Sequence, residues 1–162
     1  MSEFPRSLKL ATVWLLVGVV VFVAVQAWQR QEQQTLFQVS GSSIEIRRGA
    51  DGHYHWTGSI NGHAVDFLVD TGATRSALSG PLADQLALPT LGQTSSQTAG
   101  GVVQGRIVLA DLSLDGGVNV QRLPMVALPK LGDKPLLGMD VLGGLHLQQS
   151  QGVLRIDLRA TR

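Results

Sequence analysis

Apolar and polar residues alternate in short runs over most of the chain after residue 43, and turn-forming residues separate the runs. Alternation over four to eight residues is typical of half-buried β-strands. Asn61-Gly62, between two such runs, is a strong signal for a two-residue hairpin turn. The alternation predicts strands at 44–47, 53–60, 63–69, 108–114 and 118–128, and a final hairpin of 145–149 with 153–158.

Two other segments carry a helical signal. Residues 79–86 contain Pro81 near their start, which predicts one or two helical turns. Residues 136–142 form an apolar block that predicts a strand leading into a short helix, and two glycines end it. Many short strands with so little helix predict an all-β fold, a barrel or sandwich with one or two short helices.

An uncharged apolar run occupies residues 10–25, ahead of the alternating region. Extended to Trp28, it approaches the ~20 residues that a helix needs to cross a bilayer. Arg6 and Lys9 precede the run, so the positive-inside rule places the N-terminus in the cytoplasm. We therefore expect an N-terminal transmembrane helix and an exported remainder.

The chain is therefore expected to have four parts. They are a cytoplasmic N-terminus at 1–9, a transmembrane anchor at 10–28, a polar Gln- and Ser-rich linker at 29–43 and a folded domain at 44–162. We therefore expect a single-pass membrane protein. If the source is bacterial, it lies in the inner membrane with its folded domain on the periplasmic side. A cleaved signal peptide is the alternative, because Val25-Gln26-Ala27 is a passable cleavage site.

Composition narrows the possible functions. The chain has 162 residues, about one ordinary domain, and a net charge of +1. Outside the first 28 residues, eleven basic residues balance eleven acidic ones, which argues against a nucleic-acid partner. The absence of Cys excludes disulfides, thiolate zinc sites and cysteine nucleophiles. His53 and His55 share one strand face, but no third ligand is evident, so no metal site is predicted.

The segment from Phe67 to Thr74 carries the clearest chemical signal. An apolar strand delivers Asp70 directly into a turn that contains Gly72. Gly72 allows close backbone approach and offers an unobstructed N–H to the carboxylate. Thr71 has a hydroxyl that both donates and accepts hydrogen bonds. Taken alone, Asp-Thr-Gly is also an ordinary strand-ending turn.

In its context, this segment resembles the active-site motif of aspartic proteases of the retropepsin type. Leu136-Leu137-Gly138 resembles the second signature of that family, and Thr98 to Val103 lies between the two motifs like the flap hairpin. The resemblance covers residues 44–158 and is closest to the bacterial, membrane-anchored, single-domain members.

The resemblance implies a retropepsin-like closed barrel and an aspartic endopeptidase without a cofactor. It assigns the catalytic role to Asp70, supported by Thr71, Gly72 and Ala73. It places Leu136, Leu137 and Gly138 behind the active site. The implied flap and substrate-binding residues are Thr98, Ala99, Gly100, Gly101 and Val102. For Gly100-Gly101 a plain hairpin tip is the less favoured alternative.

The chain departs from viral retropepsins at Arg75 and Asp140, where the charges are reversed. We hypothesise that these two residues pair. Asp140 lacks a following Thr-Gly, so a capping or ion-pair role is favoured over a role as second catalytic acid.

Aspartic proteolysis needs two carboxylates, and the chain has one Asp-Thr-Gly. The resemblance therefore implies a homodimer with one Asp70 from each protomer, sharing one proton and acting on protein or peptide substrates. A bell-shaped pH profile follows. Residues 153–158 are expected to supply interface strands, since an unpaired terminal strand is a ready partner. Two alternatives stay open, a catalytically silent peptide-binding module and a protease confined to its own tether.

Overall fold

The residues described by the computed structural model are 14–26, 36–39, 43–98 and 101–158, with 36–39 described by the backbone alone. The chain divides into two units, Met1–Gln34 and Thr35–Arg162. In the first unit, residues 14–26 form helix α1. None of the described helices has the length and apolarity needed to span a bilayer. The predicted anchor at 10–28 extends beyond α1, at both ends, into residues that are not described.

The second unit contains eleven strands and two short helices among its described residues. The strands are β1 (Leu36–Val39), β2 (Ser43–Arg47), β3 (His55–Ile60), β4 (His63–Val69), β5 (Ala77–Ser79), β6 (Thr90–Thr98), β7 (Gly101–Leu114), β8 (Val118–Leu128), β9 (Leu136–Leu137), β10 (His146–Ser150) and β11 (Val153–Asp157). The helices are α2 (Gly80–Gln85) and α3 (Met139–Leu142). The all-β prediction is confirmed.

Six strands close into a barrel. In the larger sheet β8, β5, β9, β4, β3 and β7 are neighbours in that order, and a further pairing between β7 and β8 closes the ring. Two of these pairings, β4 with β9 and β5 with β8, are parallel. β1 extends the sheet from β8, and β6 extends it from β7. The parallel pairings matter for the site because they bring distant segments side by side.

The β3–β4 hairpin forms as its sequence predicts. Ile60 pairs with His63 across the turn, and Asn61 and Gly62 both adopt positive φ angles, 48° and 81°. Positive φ at both central residues suits the right-handed twist of the flanking strands. The hairpin thereby sets the register of β4, the strand that leads to Asp70.

The barrel is filled by large apolar side chains from all around the ring. Those buried almost completely include Trp56, Ile60, Phe67, Leu78, Leu112, Met125 and Leu137. Burying a side chain of this size contributes about 1.5–3 kcal/mol. Trp56 also donates from Nε1 to the Asp115 carbonyl oxygen at 2.9 Å, so its polar atom is satisfied.

A separate three-stranded sheet has the order β10-β11-β2. Its middle strand, β11, pairs with β10 on one side and β2 on the other. The expectation that residues 153–158 supply an interface strand is therefore wrong, because both hydrogen-bonding edges of β11 are occupied within the chain.

Several segments form strands where the sequence pattern predicted none, among them β1 and the first part of β7. β1 falls inside the predicted linker at 29–43 and pairs with β8, Leu36 with Gln121 through Val39 with Val118. β7 begins at Gly101 rather than at 108, because the polar residues before 108 pair with β6. Backbone pairing supplies the hydrogen bonds of both segments without requiring hydrophobic alternation.

Candidate active site

The two signature segments are neighbours in the barrel. β4 and β9 run parallel, with Leu68 opposite Leu136 and Val69 opposite Leu137. The pairing continues past the strand end, since the Asp70 N–H donates to the Leu137 carbonyl oxygen at 3.0 Å. The structure thus brings together Asp70 and the Leu136-Leu137-Gly138 segment.

A tight turn follows β4 and orients the Asp70 carboxylate. The Gly72 N–H donates to Asp70 Oδ1 at 2.9 Å, and the Ala73 N–H donates to the Asp70 carbonyl oxygen at 3.2 Å. A Cβ atom at position 72 would lie only 3.2 Å from Asp70 Oδ1, so glycine leaves room for the carboxylate beside this N–H. Asp70 is half-buried, and Thr71 and Gly72 are exposed to solvent.

Gly138 supports this turn from behind. A Cβ atom at position 138 would approach the backbone carbon of Arg75 to 2.5 Å and its oxygen to 2.8 Å. The next residue, Met139, donates its N–H to the Ala73 carbonyl oxygen at 2.8 Å. The close contact between the two segments therefore depends on the missing side chain at 138.

Ser76 was not predicted as a site residue, yet it is fully buried and joins both segments. Its hydroxyl donates to Asp140 Oδ1 at 2.7 Å and accepts from the Gly138 N–H at 3.0 Å. Its N–H donates to Asp140 Oδ2 at 2.9 Å. The sequence signal was weak, because a serine before an apolar strand is common.

The hypothesis of an Arg75–Asp140 ion pair is wrong. Both carboxylate oxygens of Asp140 accept hydrogen bonds from Ser76. Among the ion pairs of the described residues, none involves Arg75. Asp140 consequently acts within the framework behind the turn.

Three of the predicted flap residues, Thr98, Gly101 and Val102, lie where β6 ends and β7 begins. Thr98 pairs with Gly101 and Gln97 with Val102, while Ala99 and Gly100 lie outside the described residues. Val102 is 66% exposed, a large fraction for an apolar side chain. Val102 is therefore available for contact with a bound segment.

The base of this hairpin is fixed to the rest of the barrel. The Arg106 guanidinium donates to the Asp84 carboxylate and, at 3.3 Å, to the Gly80 carbonyl oxygen of α2. Val103 packs in a small apolar cluster that also contains Leu131 and Leu136. Val103 of the hairpin and Leu136 of the second signature thus pack against the same apolar cluster.

A chain of polar contacts runs beside β4. Lys134 Nζ contacts Asp66 Oδ2 at 2.6 Å and His55 Nδ1 at 3.1 Å. His55 Nε2 lies 2.8 Å from Asp51 Oδ2. The His53 backbone N–H and the His55 side chain hold the pKa of Asp51 below its ordinary value. Within the described part of the chain, no cluster of His, Asp or Glu fits a metal ion.

Comparison with known protein families identifies the family of this chain. Residues 56–144, more than half of the chain, match the family described as gag-polyprotein putative aspartyl protease. No curated protein matches the chain.

Two solved structures share the fold at low sequence identity. A retropepsin-like aspartic protease from Rickettsia conorii is 21% identical, with a TM-score of 0.57 over 76% of this chain and 94% of that one. The EIAV protease, solved in complex with the inhibitor HBY-793, is also 21% identical, with a TM-score of 0.50 over 59% of this chain and 89% of that one. The chain therefore belongs to the gag-polyprotein putative aspartyl protease family and has the retropepsin-like fold.

Proposed function

We propose that the chain is an aspartic endopeptidase that works as a homodimer, with one Asp70 from each protomer. The observation that carries the proposal is the turn after β4, where a half-buried carboxylate accepts from the Gly72 N–H beside an exposed Thr71. Only one Asp-Thr-Gly is present in the chain, and aspartic proteolysis uses two carboxylates. A second copy supplies the missing acid.

In this mechanism the two Asp70 carboxyl groups share one proton, because two adjacent carboxylates do not both ionise. The ionised group accepts a proton from the lytic water as the water attacks the scissile carbonyl carbon. The protonated group donates its proton to the carbonyl oxygen, which gives the tetrahedral intermediate. The group that took the water proton then passes it to the leaving nitrogen, while the other group takes a proton back from a hydroxyl as the C–N bond breaks and the carboxylic acid forms. Thr71, which is exposed in the single chain, hydrogen-bonds across the two-fold axis in this mechanism and fixes the pair.

The flap role is proposed for Thr98, Ala99, Gly100, Gly101 and Val102. The β6–β7 hairpin has a long polar outer part, and its base is held by Arg106. An extended substrate between this hairpin and the Asp70 turn is bound by backbone hydrogen bonds, as in other strand-addition complexes.

Membrane anchoring through residues 10–28 is part of the proposal. The described part of this segment, α1, is an uncharged helix with exposed apolar side chains. Anchoring in an inner membrane places the protease domain on the exported side, where its substrates are extended segments of exported or membrane proteins. Two anchors in one membrane raise the effective concentration of protomers, so the domains need only modest affinity for each other.

The test compares the full-length wild type with Asp70→Asn, both reconstituted in lipid vesicles. Asn keeps an oxygen that accepts from Gly72, so the turn is preserved while the acid is removed. Asp115→Asn removes an exposed carboxylate from the β7–β8 turn and is the matched control. An unfolded protein mixture is added across about pH 4–8, fragments are read by mass spectrometry, and association is measured by analytical ultracentrifugation in detergent.

We expect cleavage with a bell-shaped pH dependence from the wild type and from Asp115→Asn, and none from Asp70→Asn. A folded wild-type dimer that cleaves nothing supports a silent peptide-binding module instead. Cleavage limited to the chain's own residues 29–43 identifies a self-processing enzyme. Cleavage that persists in Asp70→Asn contradicts the proposal.

A further inference from the structure

A cavity of about 430 Å³ opens beside the start of β3. This volume falls within the ~300–1,000 Å³ typical of pockets that bind small organic groups. Its lining includes Leu68, Leu131 and Leu136. The lining thus combines apolar residues with charged ones.

The cavity lies on the same face of β4 as the Asp70 carboxylate. Side chains alternate along a strand, so Leu68 and Asp70 share one face, while Phe67 points into the core. The hydrogen bond from Asp70 to Leu137 shows that this strand geometry continues to Asp70. Two residues of strand span about 7 Å, so Leu68 of the cavity lining lies about that far along the chain from Asp70.

The residues around the cavity carry more negative than positive charge. The polar residues of the lining, which form its rim, are Asp51, Asp133, Lys134, His53 and His55. The Lys134 ammonium is already offset by Asp66, whose carboxylate contacts it at 2.6 Å. Ion pairs among the described residues do not include Asp133, and Asp51 has only histidine partners. Two carboxylates at the rim thus lack a strong cationic partner.

We propose that this cavity is a substrate subsite that selects a lysine or arginine side chain, and this inference rests on the proposed endopeptidase function. The aliphatic stem of such a side chain packs on Leu68, Leu131 and Leu136. Its cationic end reaches the rim at Asp51 and Asp133. Long basic side chains combine an apolar stem with a charged end, which is the combination that the cavity offers.

The experiment separates binding from cleavage. A randomised nonapeptide library that includes Lys, Arg, norleucine and Glu is captured by immobilised full-length Asp70→Asn protein at about pH 7.5, and bound peptides are sequenced by mass spectrometry. The same library is incubated with the wild type, and cleavage sites are sequenced. Both measurements are repeated with Asp133→Asn, Asp51→Asn and Asp133→Lys, each made in both backgrounds, with Asp115→Asn as the matched control.

We expect Lys and Arg to be enriched at one peptide position, in both bound peptides and cleavage products, over norleucine, which has a stem of similar length without the charge. Loss of either carboxylate lowers the enrichment about fivefold, the upper value for a partly exposed ion pair. Asp133→Lys shifts the preference at that position toward Glu, and Asp115→Asn changes nothing.

The outcomes distinguish the two proposals. Enrichment of Lys and Arg by Asp70→Asn, combined with no cleavage by the wild type, supports the subsite and overturns the endopeptidase. Cleavage without a basic preference, or a preference that Asp133→Asn and Asp133→Lys leave unchanged, overturns the subsite and leaves the endopeptidase standing. Neither basic enrichment nor cleavage overturns both.

Discussion

Ser76 and Asp140 lie 64 residues apart and are joined by two hydrogen bonds, of 2.7 and 2.9 Å, behind the turn that carries Asp70. The Ser76 hydroxyl also accepts from the Gly138 N–H. These bonds connect the segment after Asp70 to the first residues of α3. The position of the candidate catalytic turn therefore depends on a polar contact that is separate from the acid itself.

Replacing Ser76 with Ala tests this dependence. The substitution removes an acceptor from the buried Gly138 N–H and a donor from the Asp140 carboxylate. Leaving such groups unsatisfied costs about 2 kcal/mol of the free energy of unfolding. We expect this loss in urea unfolding of the full-length chain followed by circular dichroism. Ser150→Ala, at an exposed position on β10, is the control, and a change in Ser76→Ala no larger than in the control contradicts the prediction.

Gly138→Ala tests the contact between the two signature segments. The added Cβ meets the backbone of Arg75 at 2.5 Å, and backbone atoms move less readily than a side-chain end. Overpacking of this kind costs about 1–3 kcal/mol, and the displacement reaches the Asp70 turn through the Met139–Ala73 hydrogen bond. We therefore expect lower stability and lower protease activity together. Gly92→Ala, which adds a Cβ with no atom within 4 Å, should change neither.

Local signals predicted the elements that carry the chemistry. The strand at 63–69 has the predicted bounds because alternation and the Asn61-Gly62 turn both act over a few residues. Pro81 lies near the start of the predicted helical segment, where helix α2 begins. Ser79 caps this helix by accepting a hydrogen bond from the Leu82 N–H at 3.3 Å. Such features need no information about the rest of the chain.

The features that sequence reasoning missed depend on partners far along the chain. β1 is a strand because β8 offers it an edge, and nothing in the polar residues around it indicates that pairing. Asp140 was assigned to Arg75 because opposite charges suggest an ion pair, yet the buried Ser76 offers better geometry. Pairing across a sheet and satisfaction of buried groups are decided by the assembled fold.

The pH dependence of the free energy of unfolding should show the contribution of the Asp51 carboxylate to stability. Its pKa is lowered by the His53 N–H and the His55 side chain, so the ionised carboxylate is favoured in the folded state. Such a group stabilises the fold above its unfolded value, 3.8, and this contribution is lost as the pH falls through the lower folded value. We expect Asp51→Asn to be less stable than the wild type at neutral pH, with the difference shrinking below about pH 4. Urea unfolding at a series of pH values measures this, with Asp115→Asn as a control that keeps the acid-side dependence.

Mixing protomers tests whether both acids come from separate chains. Wild-type and Asp70→Asn full-length chains are combined in detergent, allowed to exchange, and reconstituted together in vesicles. If each active dimer needs two Asp70 residues, activity follows the square of the wild-type fraction, so an equal mixture keeps about a quarter of the activity of the same total amount of wild type. Mixing wild type with Asp115→Asn should preserve full activity at every ratio.

The shape of this curve separates the possible active units. A linear fall, with half of the activity left in an equal mixture, means that one chain supplies both acids or that protomers do not exchange. Exchange is checked with two fluorescent labels and energy transfer, so a linear fall with proven exchange contradicts the shared site. A squared dependence leaves Asp140 without a catalytic role, in agreement with its two bonds to Ser76.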